Sequence, residues 1–180
     1  MRAAWWTLLL CAACASPAVD DEFVADPLAE PGVVVLIFVR TDCPIANRYA
    51  PTIRELAAEH GARGVRFVIV YPDADATPEA IAEHLRAYDL PRRALRDPRH
   101  EWVARTGVSV TPEVAVFDDA RRLAYRGRID DRFPIAGAAR SEATVRDLDL
   151  ALDALESHRA PPASSQPAIG CPIPKLHGAR

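Results

Sequence analysis

Cys43 has the sequence context of a reactive thiol. It follows an apolar run at residues 33–39, which is typical of a buried central strand, and it precedes Pro44, a residue common at the first position of a helix. The N–H groups of a first helical turn lack partners within the helix, and they favour a thiolate over a thiol. Such positions can lower a cysteine pKa from about 8.5 to roughly 3.5–7.5. The sequence therefore predicts that Cys43 is a nucleophile.

The rest of the chain predicts an α/β fold that places this cysteine at the end of a strand. Strands and helices alternate through the first half, which implies parallel strands joined by right-handed crossovers, and a later hairpin adds antiparallel pairing. We expect a central mixed sheet flanked by helices in a single domain. The predicted strands are 33–39, 65–71, Glu113–Phe117 and 123–125, and the predicted helices begin at Pro44, Thr77-Pro78, Asp97-Pro98 and Ser141, which caps the last helix.

Residues from about 33 to 157 resemble the thioredoxin-like superfamily, and within it the redoxin (peroxiredoxin/thioredoxin-like) proteins. The resemblance rests on TDCPIANRYAP around Cys43 and on Thr111-Pro112 just before the strand EVAVF. In that superfamily the matching proline is cis and lies beside the reactive cysteine. The resemblance thus implies a thioredoxin-like fold with a cis Thr111–Pro112 bond facing Cys43, although a proline at the start of a strand is also common without such a role.

The chain departs from the mechanisms of both parent subfamilies. Thioredoxins carry C-x-x-C, but Ala46 stands where the second cysteine would be. Typical peroxiredoxins carry threonine three residues before the reactive cysteine, where this chain has Arg40 and places Thr41 one position later. A group of exported redoxin-like proteins is more similar, because it shares a TDCP-type site, the stretch YRGRIDD at 125–131 and a late G-C-x-I at 170–173.

Cys171 is the predicted partner of Cys43. A reactive cysteine without a nearby partner needs a resolving thiol to leave the sulfenic or mixed-disulfide state. The segment from His158 to Cys171 has a root-mean-square span of about 20 Å if flexible, comparable with the ~27 Å length of an 18-residue final helix. We therefore expect a Cys43–Cys171 disulfide, with a stray thiol in an unstructured tail as the alternative.

Residues near Cys43 and Pro112 are predicted to contact a substrate. Arg40 can offset the negative charge of Asp42, which disfavours the thiolate, if its side chain folds back toward the sulfur. Asn47 lies one helical turn after Cys43 and can hydrogen-bond a substrate, although a surface asparagine fits equally well. The predicted substrate-binding residues are Arg40, Pro44, Asn47, Thr111 and Pro112, and the predicted catalytic residues are Cys43 and Cys171.

Other motifs carry weaker signals. The charged run at 126–131 can anchor a substrate or the tail, but such runs are more often solvated or salt-bridged loops. His177 follows Cys171 by six residues, so a Cys/His metal site with Cys43 is an alternative, yet the spacing shows no ligand pattern and we expect no metal and no cofactor. A net charge of −3 excludes the basic surface that nucleic-acid binding requires.

The first residues have the features of an export signal. Arg2 is followed by an apolar stretch at 3–13 and by small residues, and Cys14 resembles the lipidated cysteine of bacterial lipoproteins. Cys11 departs from that pattern, since leucine is usual there, and ordinary cleavage after Ala13 or Ala15 is the alternative. We predict a periplasmic, lipid-anchored protein. The predicted organisation is a signal peptide at 1–13, a tether at 14–32, a thioredoxin-like domain at 33–158 and a flexible cysteine-bearing tail at 159–180.

Together these features predict a thiol–disulfide oxidoreductase or a thiol peroxidase-like antioxidant protein. Cys43 would attack a disulfide or a peroxide, Cys171 would resolve the product, and an external thiol would restore the protein. A metallochaperone that binds its ion through Cys43 and Cys171 is the alternative from another class. A domain with a purely structural disulfide is the third.

Overall fold

The computed structural model describes residues 22–135, 138–163 and 167–176. The strands are β1 (Glu22–Phe23), β2 (Val34–Phe38), β3 (Arg66–Tyr71), β4 (Arg93–Arg96), β5 (Val110–Thr111), β6 (Glu113–Phe117), β7 (Leu123–Gly127) and β8 (Cys171–Pro172). The helices are α1 (Pro44–Arg48), α2 (Ala50–Gly61), α3 (Pro78–Ala87), α4 (Glu101–Thr106) and α5 (Asp147–Glu156).

Within these residues, six strands form one mixed sheet in the order β1-β4-β3-β2-β6-β7. The pairs β1–β4, β4–β3 and β3–β2 are parallel, whereas β6 pairs antiparallel with both β2 and β7. A separate two-stranded sheet joins β5 to β8 in antiparallel fashion. The mixed sheet flanked by helices confirms the predicted fold class.

The centre of the sheet is buried on both faces. Val35 and Ile37 of β2 pack into one apolar cluster with α2 and α5, and Val34, Leu36 and Phe38 pack into a second cluster on the opposite face. All of these side chains are fully shielded from solvent. Because side chains alternate between faces, a slip of one residue would exchange the two clusters, so the register of β2 is strongly fixed.

The predicted helix that starts at Pro44 is divided in two. α1 ends at Arg48 and α2 starts at Ala50, with Tyr49 between them. Pro51 in the first turn of α2 has no N–H to continue the hydrogen-bond ladder of α1, which accounts for the division. The predicted start of α3 is confirmed, because the Thr77 hydroxyl accepts the Ala80 N–H at 3.2 Å.

Several predicted boundaries were wrong. Ser141 does not cap the last helix: α5 starts at Asp147, and the residues before it are held by Asp131, which accepts the N–H groups of Thr144 and Val145. β4 was not predicted, because its sequence RALR lacks a strand pattern. β1 lies within the segment predicted as a tether and pairs with β4.

The terminal predictions fall mainly outside the described residues. Residues 1–21, which include the predicted signal and Cys14, are outside the described residues, and His177 is also outside them. In the part of the chain that the structure describes, no helix has the length and apolar character needed to cross a membrane.

Candidate active site

Cys43 lies in the connection between strand β2 and helix α1, directly before the helix. β2 ends at Phe38, the Val39 N–H still bonds to Val70 of β3, and a tight turn from Arg40 brings the chain to Cys43. Cys43 is the N-cap of α1, and its Sγ accepts the Ala46 N–H at 3.5 Å. The side chain is only 1% exposed. The sulfur therefore sits at the edge of the apolar core with one backbone donor directed at it.

Cys171 forms a disulfide with Cys43, with 6.0 Å between the two Cα atoms. The tail reaches this position as β8, whose Cys171 pairs with Thr111 of β5. The Ile173 N–H donates to the Ser109 carbonyl at 3.0 Å, and the Thr111 hydroxyl donates to the Cys171 carbonyl at 3.4 Å. The tail thus closes over the site as an added strand, which the sequence did not predict.

Thr111 and Pro112 form the opposite wall of the site. The bond between them is cis, as the resemblance implied, and both residues are buried. The Thr111 carbonyl oxygen lies 3.0 Å from Cys43 Sγ. This oxygen can accept a hydrogen bond from Cys43 when the disulfide is reduced and the sulfur carries a proton.

Gly170 permits the close approach of the tail to this wall. A Cβ atom at this position would overlap the Thr111 carbonyl oxygen and lie 2.6 Å from its carbonyl carbon and 3.1 Å from the Pro112 nitrogen. Both opposing groups are backbone and cannot swing aside. In the sequence Gly170 stands only as part of the late G-C-x-I motif, and its place directly before Cys171 was the available signal for its role.

Arg40 connects the turn before Cys43 to the tail. Its guanidinium lies 3.0 Å from an Asp73 carboxylate oxygen and 3.1 Å from Asp42, and it donates to the Pro172 carbonyl at 3.4 Å. Arg40 therefore forms an ion pair with Asp42 and also binds the tail backbone, while its predicted approach to the Cys43 sulfur stays a prediction. A cavity of about 620 Å³ lies beside it, with a lining that includes Asp73, His100, Pro174 and Lys175.

Asn47 stabilises the turn before Cys43 from within the protein. Its amide donates to the Thr41 carbonyl at 3.2 Å and to the Tyr88 hydroxyl at 3.1 Å. Its Oδ1 lies 2.9 Å from Nε2 of His84, whose Nδ1 lies 2.8 Å from the Tyr71 hydroxyl. Because an amide oxygen only accepts, Nε2 of His84 carries the proton. Burial lowers the pKa of His84 and favours this neutral ring.

The charged run at 126–131 begins at the end of β7 and continues as a salt-bridged loop. Arg128 pairs with Asp147 of α5 at 2.7 Å, and Asp130 accepts the Tyr49 hydroxyl at 2.5 Å. Burial and the hydrogen bond to Asp130 raise the pKa of Tyr49, so that its hydroxyl remains a donor. Burial opposes the ionisation of Asp131, but hydrogen bonds from Thr144 and the Val145 N–H outweigh it and lower the pKa of Asp131. These contacts join α1, α2 and α5 to the sheet.

Groups with metal-ligating atoms occur away from the cysteines. His60 lies between Asp149 and Glu156, at 2.9 and 2.8 Å, where α2 packs against α5. Arg63 pairs with Glu156 at 3.0 Å and approaches Glu59 at 3.4 Å, so a guanidinium already occupies the space between these carboxylates. The proposed metal set of Cys43, Cys171 and His177 cannot be placed, since His177 lies outside the described residues.

Comparison with known proteins finds one family model and several solved structures that are similar to this chain. Residues 23–140 match the family model named Redoxin. An uncharacterized conserved protein from Geobacillus kaustophilus is 26% identical, with a TM-score of 0.71 over 83% of this chain and 80% of its own. A hypothetical protein from Sinorhizobium meliloti is 25% identical, with a TM-score of 0.70 over 84% of each chain. No curated protein matches the sequence.

Proposed function

The chain belongs to the Redoxin family, and we propose that it is a thiol–disulfide oxidoreductase whose redox-active pair is Cys43 and Cys171. The observation that supports this most directly is the disulfide between them, formed against the cis Thr111–Pro112 peptide. The same sulfur of Cys43 accepts the Ala46 N–H at the start of α1, a contact that favours its thiolate once the bond is reduced.

In the proposed reaction the reduced protein passes two electrons to a disulfide substrate. The Cys43 thiolate, which accepts the Ala46 N–H, attacks one substrate sulfur, and the substrate S–S bond breaks as the other sulfur leaves as a thiolate. The Cys171 thiolate then attacks Cys43 Sγ, which releases the second substrate sulfur and forms the Cys43–Cys171 bond. The substrate gains two electrons and two protons, and the protein loses them.

A disulfide fits the site better than a peroxide as the electrophile. Cys43 is 1% exposed beneath the tail, and the tail meets β5 through the backbone pairing of an added strand. A peptide disulfide can offer the same backbone groups, whereas a peroxide offers none. With a peroxide, Cys43 would become a sulfenic acid, and Cys171 would displace hydroxide from it to form the same disulfide.

We place this activity in the cell envelope. The basis is the signal-like start of the chain and Cys14, which would carry a lipid that anchors the protein to a membrane. The partners would be a disulfide substrate and a thiol donor that reduces the Cys43–Cys171 bond. Fractionation of cells that express the Cys14→Ser variant tests the anchor: the variant should leave the membrane fraction, and retention there would contradict it.

The decisive experiment measures the reduction of a peptide disulfide by variants in which one cysteine at a time is replaced by serine. An added thiol regenerates the reduced protein after each turnover. Cys43→Ser should abolish turnover, because serine cannot form a mixed disulfide. Cys171→Ser should accumulate the mixed disulfide on Cys43 and turn over slowly. Cys14→Ser, the same substitution away from the pair, is the matched control and should retain activity. Wild-type turnover by Cys43→Ser would refute the proposal.

A second candidate is a metallochaperone, because two adjacent sulfurs form a soft two-coordinate site once the disulfide is reduced. Titration of the reduced protein with Cu(I) separates the two functions. Tight binding that both cysteine variants lose, together with absence of disulfide turnover in the wild type, would favour the chaperone.

A further inference from the structure

We propose that the external thiol that reduces the oxidised protein attacks Cys171 and not Cys43, so that electrons enter through the tail. This rests on the proposed function and identifies which sulfur meets the electron donor. The two cysteines would then have separate partners: Cys43 attacks the substrate of the reduced protein, and Cys171 accepts the donor of the oxidised protein.

The two cysteines of the disulfide differ in their exposure to solvent. Cys43 is 1% exposed and belongs to the apolar cluster between the sheet and α2 and α5. Cys171 packs against the same cluster from its edge but is partly exposed, and Pro172 beside it is exposed. Because exchange rates depend on access to the sulfur attacked, an incoming thiolate meets Cys171 first.

The direction of attack reinforces this difference. A thiolate approaches a disulfide sulfur in line with the S–S bond, from the side opposite the leaving sulfur. Attack on Cys43 would require approach to a side chain that is only 1% exposed and whose sulfur lies 3.5 Å from Ala46 N and 3.0 Å from the Thr111 carbonyl oxygen. Attack on Cys171 meets a partly exposed residue beside the exposed Pro172.

The leaving group also favours attack at Cys171. That reaction releases Cys43, whose sulfur already has the Ala46 N–H as a donor to its thiolate form. The Thr111 carbonyl can then accept a hydrogen bond once the sulfur gains a proton. The site thus accommodates Cys43 both immediately after the bond breaks and after protonation.

The steps balance with two equivalents of a monothiol. The first thiolate forms a bond to Cys171 Sγ, the Cys43–Cys171 bond breaks, and Cys43 leaves as a thiolate that takes up a proton. A second thiolate attacks the sulfur of the first, which breaks the mixed disulfide and releases Cys171. The two donor thiols become one disulfide, and the protein gains two electrons and two protons.

The test uses the oxidised full chain, glutathione as the probe and a brief reaction stopped by N-ethylmaleimide. Peptide mass spectrometry then locates glutathione and maleimide on the two cysteines. We expect glutathione on Cys171 and maleimide on Cys43, with the glutathione adduct on Cys171 exceeding that on Cys43 by about tenfold or more because access controls the rate. The same protein unfolded in urea is the control, and there the two adducts should be similar in amount.

The outcomes separate the two proposals. Glutathione mainly on Cys43 of the native protein, or in equal amounts on both cysteines, would overturn the entry of electrons through Cys171 while the oxidoreductase proposal stands. If neither glutathione nor dithiothreitol reduces the native disulfide, the bond is structural, and the proposed function fails together with the inference.

Discussion

The two cysteines of the redox site are held in place very differently. On one side, Cys43 follows β2, which pairs along its whole length with β3 and β6 and is buried on both faces. On the other side, Cys171 belongs to a strand of two residues that pairs with two residues of β5. Cys43 is part of the core of the domain, whereas the tail rests on the disulfide, a few backbone contacts and the packing of Ile169 and Ile173 against the apolar clusters.

This difference indicates that the redox state controls the tail and leaves the domain body unchanged. Isolated two-residue pairing is weak by itself, so the position of the tail depends on the covalent bond, on the Gly170 and Arg40 contacts and on the packing of Ile173. Reduction should free the tail while β2 and α1 keep Cys43 in place.

Loss of the disulfide should have the largest effect on stability. Cys171→Ser removes a link between residues 128 positions apart, and a closed loop of this size reduces the entropy of the unfolded chain, so the free energy of unfolding should fall by about 2–4 kcal/mol. Urea denaturation measures it. Wild-type protein in reductant should show the same loss, and equal stability of the variant and the oxidised wild type would contradict this account.

Gly170→Ala should weaken docking of the tail without altering either thiol. The added methyl group would overlap the Thr111 carbonyl, and a clash of this kind costs roughly 1–3 kcal/mol. In a glutathione redox buffer, the equilibrium should therefore shift toward the dithiol by about fivefold to a hundredfold, since 1.4 kcal/mol corresponds to a factor of about ten. Gly61→Ala is the matched control, because a Cβ there meets nothing within 4 Å. An unchanged equilibrium in Gly170→Ala would show that the tail does not rest against Thr111.

Arg40→Gln should produce a smaller shift in the same direction. The variant loses the donor to the Pro172 carbonyl and the ion pair with Asp73, and a hydrogen bond of this type contributes about 0.5–1.5 kcal/mol. Hydrogen exchange at the Ile173 N–H should rise several-fold in the oxidised protein. Arg99→Gln, at an exposed surface pair with Glu101, should leave it unchanged; equal exchange in both variants would exclude Arg40 as a tail contact.

The smallest expected effect is on the pH dependence of stability through His84, which contacts Asn47 in the helix that follows Cys43. Burial lowers the pKa of His84 in the folded protein below the ordinary value of 6.5, so the unfolded chain binds a proton that the folded chain does not. Stability from this source is fully present above the ordinary value and declines as pH falls below it. His84→Gln should therefore show a smaller loss of stability than wild type between about pH 7.5 and pH 5.5. An identical loss in both proteins would remove His84 as the cause.

The sequence predicted the strands beside Cys43 and the pairing of Cys43 with Cys171 better than the short or polar elements around them. The apolar runs identified β2 and β3, Pro44 marked the start of α1, and the resemblance indicated the cis Thr111–Pro112 bond. The short β4 was missed because four residues of mixed polarity carry no strand signal, and its strand state depends on pairing with β3. The start of α5 was placed too early because Asp131, distant in sequence, holds residues 144–145 outside the helix.

Local patterns in the sequence therefore determined that a thiol stands where a buried strand meets a helix, because burial and capping depend on neighbouring residues. The tertiary structure alone decided which groups surround that thiol. It placed Gly170 against Thr111, directed Arg40 to Asp73 and the tail, and left Cys171 the more exposed of the two cysteines. These contacts join residues far apart along the chain, and they arise only once the packed sheet fixes their distances and directions.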